Sequence, residues 1–301
     1  MRRLLIAALS LGLIAESMPA RAQDVVHLKP STPWVVDYAD DSCRLARTFG
    51  TGAEKVTLFL DQFQPDAGFY MTVGGEPVRT RRGLLNVKLR FRFGPTETEQ
   101  EASADTGTLG GAPALLVNMS QRLGPLSNAE KAAQEAATKS GDRYEVPDVS
   151  RERQAAVKFL QIIGTPEELV LETGAMDKAL GVLSECAWDT VADWGLDVEQ
   201  QKTLKRGPVA RGGSQTWFSG DDYPPRMVRG NYQGTVYYRL IVDETGKPTS
   251  CHVQRSTRPK DFDEAVCRIV MRRGRFEPAK DANGKPVPSF WSQAITFRME
   301  G

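Results

Sequence analysis

Hydrophobic and polar residues alternate strictly between residues 87 and 93 of this chain. The apolar positions are Val87, Leu89, Phe91 and Phe93, and the residues between them are all basic, Lys88, Arg90 and Arg92. Because successive side chains of a strand point to opposite faces, this pattern predicts a strand with one buried face. We interpret the basic residues as its solvated face rather than as a binding stripe.

The rest of the first 200 residues carries shorter strand patterns and two helical patterns. Apolar runs between turn residues predict strands at 34–38, 56–63, 69–73, 114–119, 157–163 and 169–172. Between residues 176 and 194 an apolar residue recurs every three or four positions, which predicts an amphipathic helix that ends at Gly195. The stretch 127–139, rich in alanine, glutamate and lysine, predicts another helix. The polar, turn-rich stretch 95–111 predicts a loop.

The C-terminal part of the chain has a different order of elements. Its patterns predict helix, strand, strand, helix and strand at 221–229, 234–242, 248–256, 261–274 and 287–299. In the last strand Trp291, Ile295 and Phe297 share one face, and we interpret them as core residues. Residues 200–215 lack apolar periodicity, so we predict a linker there. The predicted fold class is α+β with two domains, the second a small layer of a three-stranded antiparallel-type sheet with helices.

The N-terminus has the layout of a secretory signal peptide. Arg2 and Arg3 precede an apolar run at 4–15, and Ala20-Arg21-Ala22 provides small residues at a cleavage site. The run of about twelve residues is shorter than the roughly twenty that cross a membrane. We therefore expect export to a periplasm and a mature chain that begins at Gln23. A buried N-terminal helix and a retained membrane anchor are the alternatives.

Charge and cysteine content agree with an exported protein. Without residues 1–22 the chain keeps 36 basic and 37 acidic residues, which gives no electrostatic reason to expect nucleic acid or an anionic membrane as partner. The four cysteines, Cys43, Cys186, Cys251 and Cys267, allow three pairings. Disulfides are expected in an oxidising compartment. Nearness along the chain favours Cys251–Cys267 and Cys43–Cys186, one within each domain.

The sequence contains no recognisable catalytic, cofactor or metal motif. Gly50-Thr51-Gly52 lacks the third glycine of a dinucleotide loop, and there is no G-x-S-x-G or C-x-x-C. His27 and His252 are the only histidines, so a hydrolase triad or a metal site would depend on one of them. We therefore expect no enzyme activity, cofactor or metal.

Several short motifs near the C-terminus resemble the C-terminal domain of the TonB family. They are Tyr223-Pro224, Gly234-Thr235-Val236, the Gly246 hairpin, Ser256-Thr257, Phe262-Asp263-Glu264-Ala265, Phe276-Glu277-Pro278-Ala279 and Asn283-Gly284-Lys285-Pro286-Val287. Together they cover about residues 217–299. The upstream region is similar to regions of alphaproteobacterial TonB-domain proteins, and this likeness implies no function for it.

The resemblance implies binding of a short peptide of an outer-membrane receptor, which adds as a strand to the sheet. An exposed edge strand offers unpaired N–H and C=O groups that an extended peptide can satisfy. The implied edge is residues 290–297, with partner contacts at Phe290, Ser292 and Ala294. Tyr223 and Pro224 match the family's pair near the receptor. They could equally fix the turn into the following helix.

The sequence departs from a force-transmitting TonB in two respects. Its N-terminus looks cleavable, and no long proline-rich spacer is present. We therefore expect a signal peptide (1–22), an N-terminal α+β domain of unknown function (23–199), a linker (200–215) and a TonB-like domain (216–301). The expected function is non-catalytic binding of a peptide or protein in the periplasm, without an integral membrane segment after cleavage. A membrane-anchored energy transducer and an envelope hydrolase in the N-terminal domain are the alternatives.

Overall fold

The structure, a computed structural model, describes residues 25–39, 42–65, 68–80, 87–118, 120–140, 149–256 and 260–299. The predicted signal peptide lies outside these residues. Within them, no helix combines the length and the apolar character needed to cross a membrane.

The upstream region is built on one ten-stranded sheet. Its strands are β1 (Val25–Leu28), β2 (Val35–Ala39), β3 (Ser42–Phe49), β4 (Val56–Gln62), β5 (Tyr70–Gly75), β6 (Val87–Gly94), β7 (Gln100–Leu109), β8 (Ala112–Val117), β9 (Phe159–Ile163) and β10 (Glu168–Leu171). They lie in the order β1-β10-β9-β6-β7-β8-β5-β4-β3-β2. β1 and β10 are parallel, and the other neighbours are antiparallel.

The chain immediately after β1 joins the two ends of this sheet. The Ser31 amide donates to the Thr48 carbonyl at 2.8 Å, and the Gly50 amide donates to the Lys29 carbonyl at 2.8 Å. Thus one extended segment pairs first with β10 and then with the end of β3, and the sheet curls around its apolar face. Fully buried residues from most of its strands fill that face, among them Leu45, Leu58, Leu60, Phe91, Phe93 and Leu160.

Four helices accompany the sheet: α1 (Asn128–Ser140), α2 (Arg151–Ala156), α3 (Asp177–Asp193) and α4 (Val198–Lys202). α3 packs against β3, and the Cys43–Cys186 disulfide links the two with Cα atoms 5.9 Å apart. Gly195 follows α3 with φ of +78°, a left-handed conformation that glycine adopts without steric cost. The predicted helix and its end are confirmed.

The prediction of a loop at 95–111 was wrong, because this stretch contains β7. Residues such as Ala102, Ala104 and Thr106 give β7 little local hydrophobic signal. β7 lies between β6 and β8, so ladder hydrogen bonds on both sides stabilise it. β1 and β3 were also missed, since their stability too depends on neighbours distant in sequence.

The C-terminal part forms a separate three-stranded antiparallel sheet in the order β13-β12-β17. Its elements are β11 (Val209–Ala210), α5 (Pro225–Arg229), β12 (Gly234–Val242), β13 (Pro248–Ser256), α6 (Lys260–Arg273), β14 (Phe276–Glu277), β15 (Ala279–Lys280), β16 (Pro286–Val287) and β17 (Ser289–Phe297). The fold is α+β, as predicted.

α6 covers one face of this small sheet, which we call the inner face. The core between them comprises Val236, Tyr238, Leu240 and Val242 of β12 and Phe262, Ala265, Val266, Ile269 and Val270 of α6. The Cys251–Cys267 disulfide joins β13 to α6 with Cα atoms 5.5 Å apart. Both predicted cysteine pairs are therefore confirmed.

Residues 200–215, the predicted linker, make backbone contacts with the C-terminal part. β11 pairs with β14, and the Lys205 amide donates to the Lys280 carbonyl at 2.9 Å. Arg206 also forms a 2.8 Å ion pair with Glu277. The segment thus extends the C-terminal fold on one side, and the division of the chain into domains stays a prediction.

Candidate functional site

β17 forms one edge of the three-stranded sheet. All nine of its residues pair with β12, from Ser289 opposite Val242 to Phe297 opposite Gly234. On its other side, the described part of the chain places no strand. The predicted edge at 290–297 therefore lies where an added strand could pair with it.

One hydrogen bond identifies which residues of β17 face this open edge. The Ala294 amide donates to Oε1 of Gln293 at 3.2 Å, a side chain of its own strand, as expected of an amide that points away from β12. In an antiparallel ladder the N–H and C=O of one residue face the same neighbour, and alternate residues face opposite neighbours. The outward-facing residues are accordingly Phe290, Ser292, Ala294 and Thr296, which include the three that the sequence predicts as partner contacts.

The side chains on the inner face of β17 belong to the core. Trp291 lies with its ring centroid 5.7 Å from that of Trp217 and 5.1 Å from that of Phe276. Ile295 packs against the same cluster, and Phe297 stacks on Phe262 at 4.6 Å. The interpretation of Trp291, Ile295 and Phe297 as core residues is confirmed.

The outer face of the sheet contacts the upstream region, which the sequence did not predict. The ring of Phe290 lies edge-on to Trp194, the residue that follows α3, at 5.2 Å. On β12, Tyr237 lies edge-on to Tyr70 of β5 at 5.2 Å. Phe290 thus makes a contact within the chain, whereas Ala294 is exposed further along the strand.

Arginine and glutamine side chains of the small sheet add polar contacts to the same interface. The guanidinium carbon of Arg255 lies 5.2 Å from the ring centroid of Tyr70. Gln254 Nε2 donates to the Phe63 carbonyl at 3.1 Å. The pKa of Tyr70 is raised to about 12, chiefly by burial and also by Tyr237, whereas Arg255 acts to lower it. The upstream region therefore contacts the outer face of the small sheet through aromatic rings and a backbone carbonyl.

Tyr223 and Pro224 lie at the far end of β17. The Tyr223 ring lies edge-on to Phe262 at 5.6 Å and to Phe297 at 5.4 Å. Its hydroxyl donates to the Tyr232 carbonyl at 2.6 Å, and burial raises its pKa. Pro224, with φ of −62°, directly precedes α5. The structure thus brings Tyr223 to the strand that carries Ala294, with a packing role in the turn.

The turn before Tyr223 is stabilised by a carboxylate. Asp222 accepts hydrogen bonds from the Ser219 amide at 2.8 Å and from Arg273 of α6 at 2.6 Å. Burial alone would raise the pKa of Asp222, but the hydrogen bonds from Arg273 and Ser219 outweigh it, and the pKa is lowered. The charged carboxylate therefore holds the turn that leads into α5 against α6.

A second contact at the start of β17 was also missed. Gln201 of α4 is 1% exposed, and its Nε2 donates to the Pro288 carbonyl at 3.0 Å. Its Oε1 accepts a hydrogen bond from the Ser289 hydroxyl at 2.6 Å. Gln201 lies in a polar stretch without periodicity, so no local pattern indicates its burial.

The described residues contain no group of three or more His, Cys, Asp or Glu side chains that could hold a metal ion. His27 is exposed on β1, and His252 lies on β13 opposite Arg239. The arrangement at β17 is an edge strand with outward backbone groups, a packed inner face and contacts at both ends.

Three antiparallel strands, one covering helix and an edge strand without a neighbour in the described part of the chain make up a small α+β domain. Residues 220–299 match the family model described as Gram-negative bacterial TonB protein C-terminal. This part of the chain is a TonB-type C-terminal domain, as the resemblance implied. A search of curated proteins gave no match to the chain. The ten-stranded sheet, Trp194 and Gln201 all lie outside the matched residues.

Proposed function

We propose that this protein binds an extended segment of a protein partner by strand addition to the open edge of β17. The observation that carries the proposal is the set of outward-facing backbone groups at Phe290, Ser292, Ala294 and Thr296. A partner strand would satisfy these groups with main-chain hydrogen bonds, the source of affinity in this mode of recognition. Binding, rather than catalysis, is the proposed activity.

The second half of β17 is the more accessible part of this edge. Gln293, Ala294 and Thr296 are exposed, whereas Ser289 is 2% exposed and Phe290 is half-buried. Tyr223 holds the end of the strand through Phe297. We therefore assign partner contact chiefly to the stretch from Ser292 to Phe297, with Tyr223 and Pro224 supporting its end.

The proposed location is the periplasm, with a segment of a TonB-dependent outer-membrane receptor as the proposed partner. The family match at 220–299, the two disulfides and the signal-like N-terminus support this assignment. N-terminal sequencing of the protein recovered from cells tests the location. A first residue near Gln23 supports export with cleavage, and an intact Met1 in the membrane fraction contradicts it.

Site-specific photo-crosslinking tests the binding edge. Benzoylphenylalanine is placed at Ala294 in the full chain, and, as a matched control, at Ser250, an exposed residue of β13 on the opposite edge. After irradiation with an envelope extract, we expect the Ala294 probe to crosslink to one short segment of a partner and the Ser250 probe to give no such product. Equal products from both positions contradict strand addition at β17.

A further inference from the structure

Two residues that precede the matched residues 220–299 contact the beginning of β17. Gln201 of α4 donates to the carbonyl of Pro288, the residue directly before β17, and accepts from the hydroxyl of Ser289. Both hydrogen-bonding ends of its carboxamide are therefore used, and at 1% exposure they are shielded from water. A partner N–H would therefore have to compete with Gln201 for the Pro288 carbonyl.

Trp194 packs against the side chain of the next outward-facing residue, Phe290. Its indole contacts the ring of Phe290 on one side, and the guanidinium carbon of Arg239 lies 3.8 Å from its ring centroid. Arg239 lies on β12 directly opposite Ser292, so Trp194 bridges the first half of β17 and the central strand. The Trp194 side chain thereby holds Phe290 of β17 and Arg239 of β12 together on the outer face of the sheet, next to Ser292.

We propose that Trp194 and Gln201 form an edge stop, which confines strand addition to Ser292–Phe297 and sets the register of the bound segment. This inference rests on the function proposed above and gives the upstream region a role in it. Both residues lie outside the match at 220–299, so the stop is a property of this chain's own architecture. They are positioning residues, because they act through Pro288, Ser289 and Phe290.

The physical argument is one of competition. A strand that extended past Ser292 as far as the Pro288 carbonyl would compete with a buried carboxamide that makes two hydrogen bonds. Leaving a buried polar group without partners costs about 1–3 kcal/mol. One added main-chain hydrogen bond contributes only about 0.5–1.5 kcal/mol. Extending the bound segment past Ser292 therefore gives no net gain in binding free energy. The register in which the bound segment ends opposite Ser292 is preferred.

Hydrogen–deuterium exchange of the full chain tests the stop without any ligand. In Gln201→Ala, we expect amides at the start of β17, residues 289–292, to exchange several-fold faster, while α6 is unchanged. Gln200→Ala is the matched control, because it removes a glutamine side chain one position away on the same helix. Equal protection at the start of β17 in all three proteins overturns the proposal.

A peptide-length series tests the register. The probe is a fluorescein-labelled peptide selected on the full chain from a random-peptide library displayed on phage. Shortened and extended versions are titrated by fluorescence anisotropy. For the native chain, affinity should stop rising once the peptide spans Ser292–Phe297. For Gln201→Ala and Trp194→Ala, extension toward Ser289 should increase it several-fold. Ser289→Ala, which removes only the hydroxyl, should show a smaller increase.

The outcomes separate the two proposals. If no peptide binds, the strand-addition function fails and the stop fails with it, and the exchange experiment then reports only whether Gln201 protects the start of β17. If peptides bind and every extension strengthens binding to the native chain, the function stands and the stop is refuted.

Discussion

The guanidinium carbon of Arg239 lies 3.8 Å from the ring centroid of Trp194. Arg239 is only 7% exposed and lies at the centre of the small sheet, while Trp194 directly follows the last turn of α3. This pair connects the upstream region to β12, the strand next to the edge strand β17. A cation over an indole face is stabilised most when water is excluded.

The Arg239–Trp194 contact should therefore contribute measurably to stability. In a double-mutant cycle with Arg239→Met and Trp194→Leu, we expect a coupling energy of about 1–2 kcal/mol from urea unfolding. Val228, 48% exposed on α5, provides the control. The cycle of Trp194→Leu with Val228→Ala should give no coupling. A value near zero for Arg239 and Trp194 would show that the proximity carries no energy.

The two disulfides should stabilise the fold to different degrees. Cys251 and Cys267 are 16 residues apart, and Cys43 and Cys186 are 143 apart. In the chain-entropy account a longer loop is constrained more, with expected contributions of about 3 and 5 kcal/mol. We expect Cys43→Ala/Cys186→Ala to lower the free energy of unfolding more than Cys251→Ala/Cys267→Ala. Chemical denaturation measures both, and the reverse order would contradict this ranking.

Tyr70 should make stability fall at high pH. Burial raises its pKa from 10.0 to about 12. Between these values the unfolded chain loses the phenolic proton while the folded protein keeps it, so stability present below pH 10 is lost as pH rises toward 12. We expect Tyr70→Phe to flatten this decline, measured by denaturation at a series of pH values. In the native chain, the ultraviolet signal of tyrosinate should include a late step that the variant lacks. If the signal lost in Tyr70→Phe came from the step near pH 10 rather than from the late step, the raised pKa would be contradicted.

Gln293 should weaken partner binding, because its Oε1 accepts a hydrogen bond of 3.2 Å from the outward-facing amide of Ala294. A carbonyl of the partner strand must replace Oε1 before it can pair with this amide. Gln293→Met keeps the length and removes the acceptor, so we expect affinity for the selected peptide to rise about 2- to 10-fold, the equivalent of one hydrogen bond. Gln293→Glu retains an acceptor and should show no gain. Equal affinities of the Met and Glu variants would exclude this capping role.

Much of the C-terminal domain could be predicted from the sequence. The alternation that ends at Val242 and the helical spacing of Phe262, Val266 and Ile269 are strong local signals, and the structure confirms both elements. The pairing of Cys251 with Cys267 followed from their nearness. These features are determined locally, because a strand's period of two and a helix's period of 3.6 leave a pattern in adjacent residues.

The candidate site was predicted only in part. The edge strand and the outward set with Phe290, Ser292 and Ala294 were anticipated from the family resemblance, and their role in binding stays a prediction. Gln201 was placed in a linker, and nothing in its neighbourhood distinguishes it from other polar residues. Its burial depends on Pro288 and Ser289, which lie 87 and 88 residues further along the chain.

The sequence by itself therefore determined which segments form strong helices and strands and that the C-terminal domain is of the TonB type, and it favoured one of the three cysteine pairings. Only the tertiary structure decided that β7 is a strand, that the ten-stranded sheet closes through residues 29–31, and that Trp194 and Gln201 cover the start of β17. The physical reason is the range of the interactions. The hydrophobic periodicity of a helix or strand is visible in neighbouring residues. Strand pairing and the contacts of a buried side chain depend instead on partners far apart in the chain.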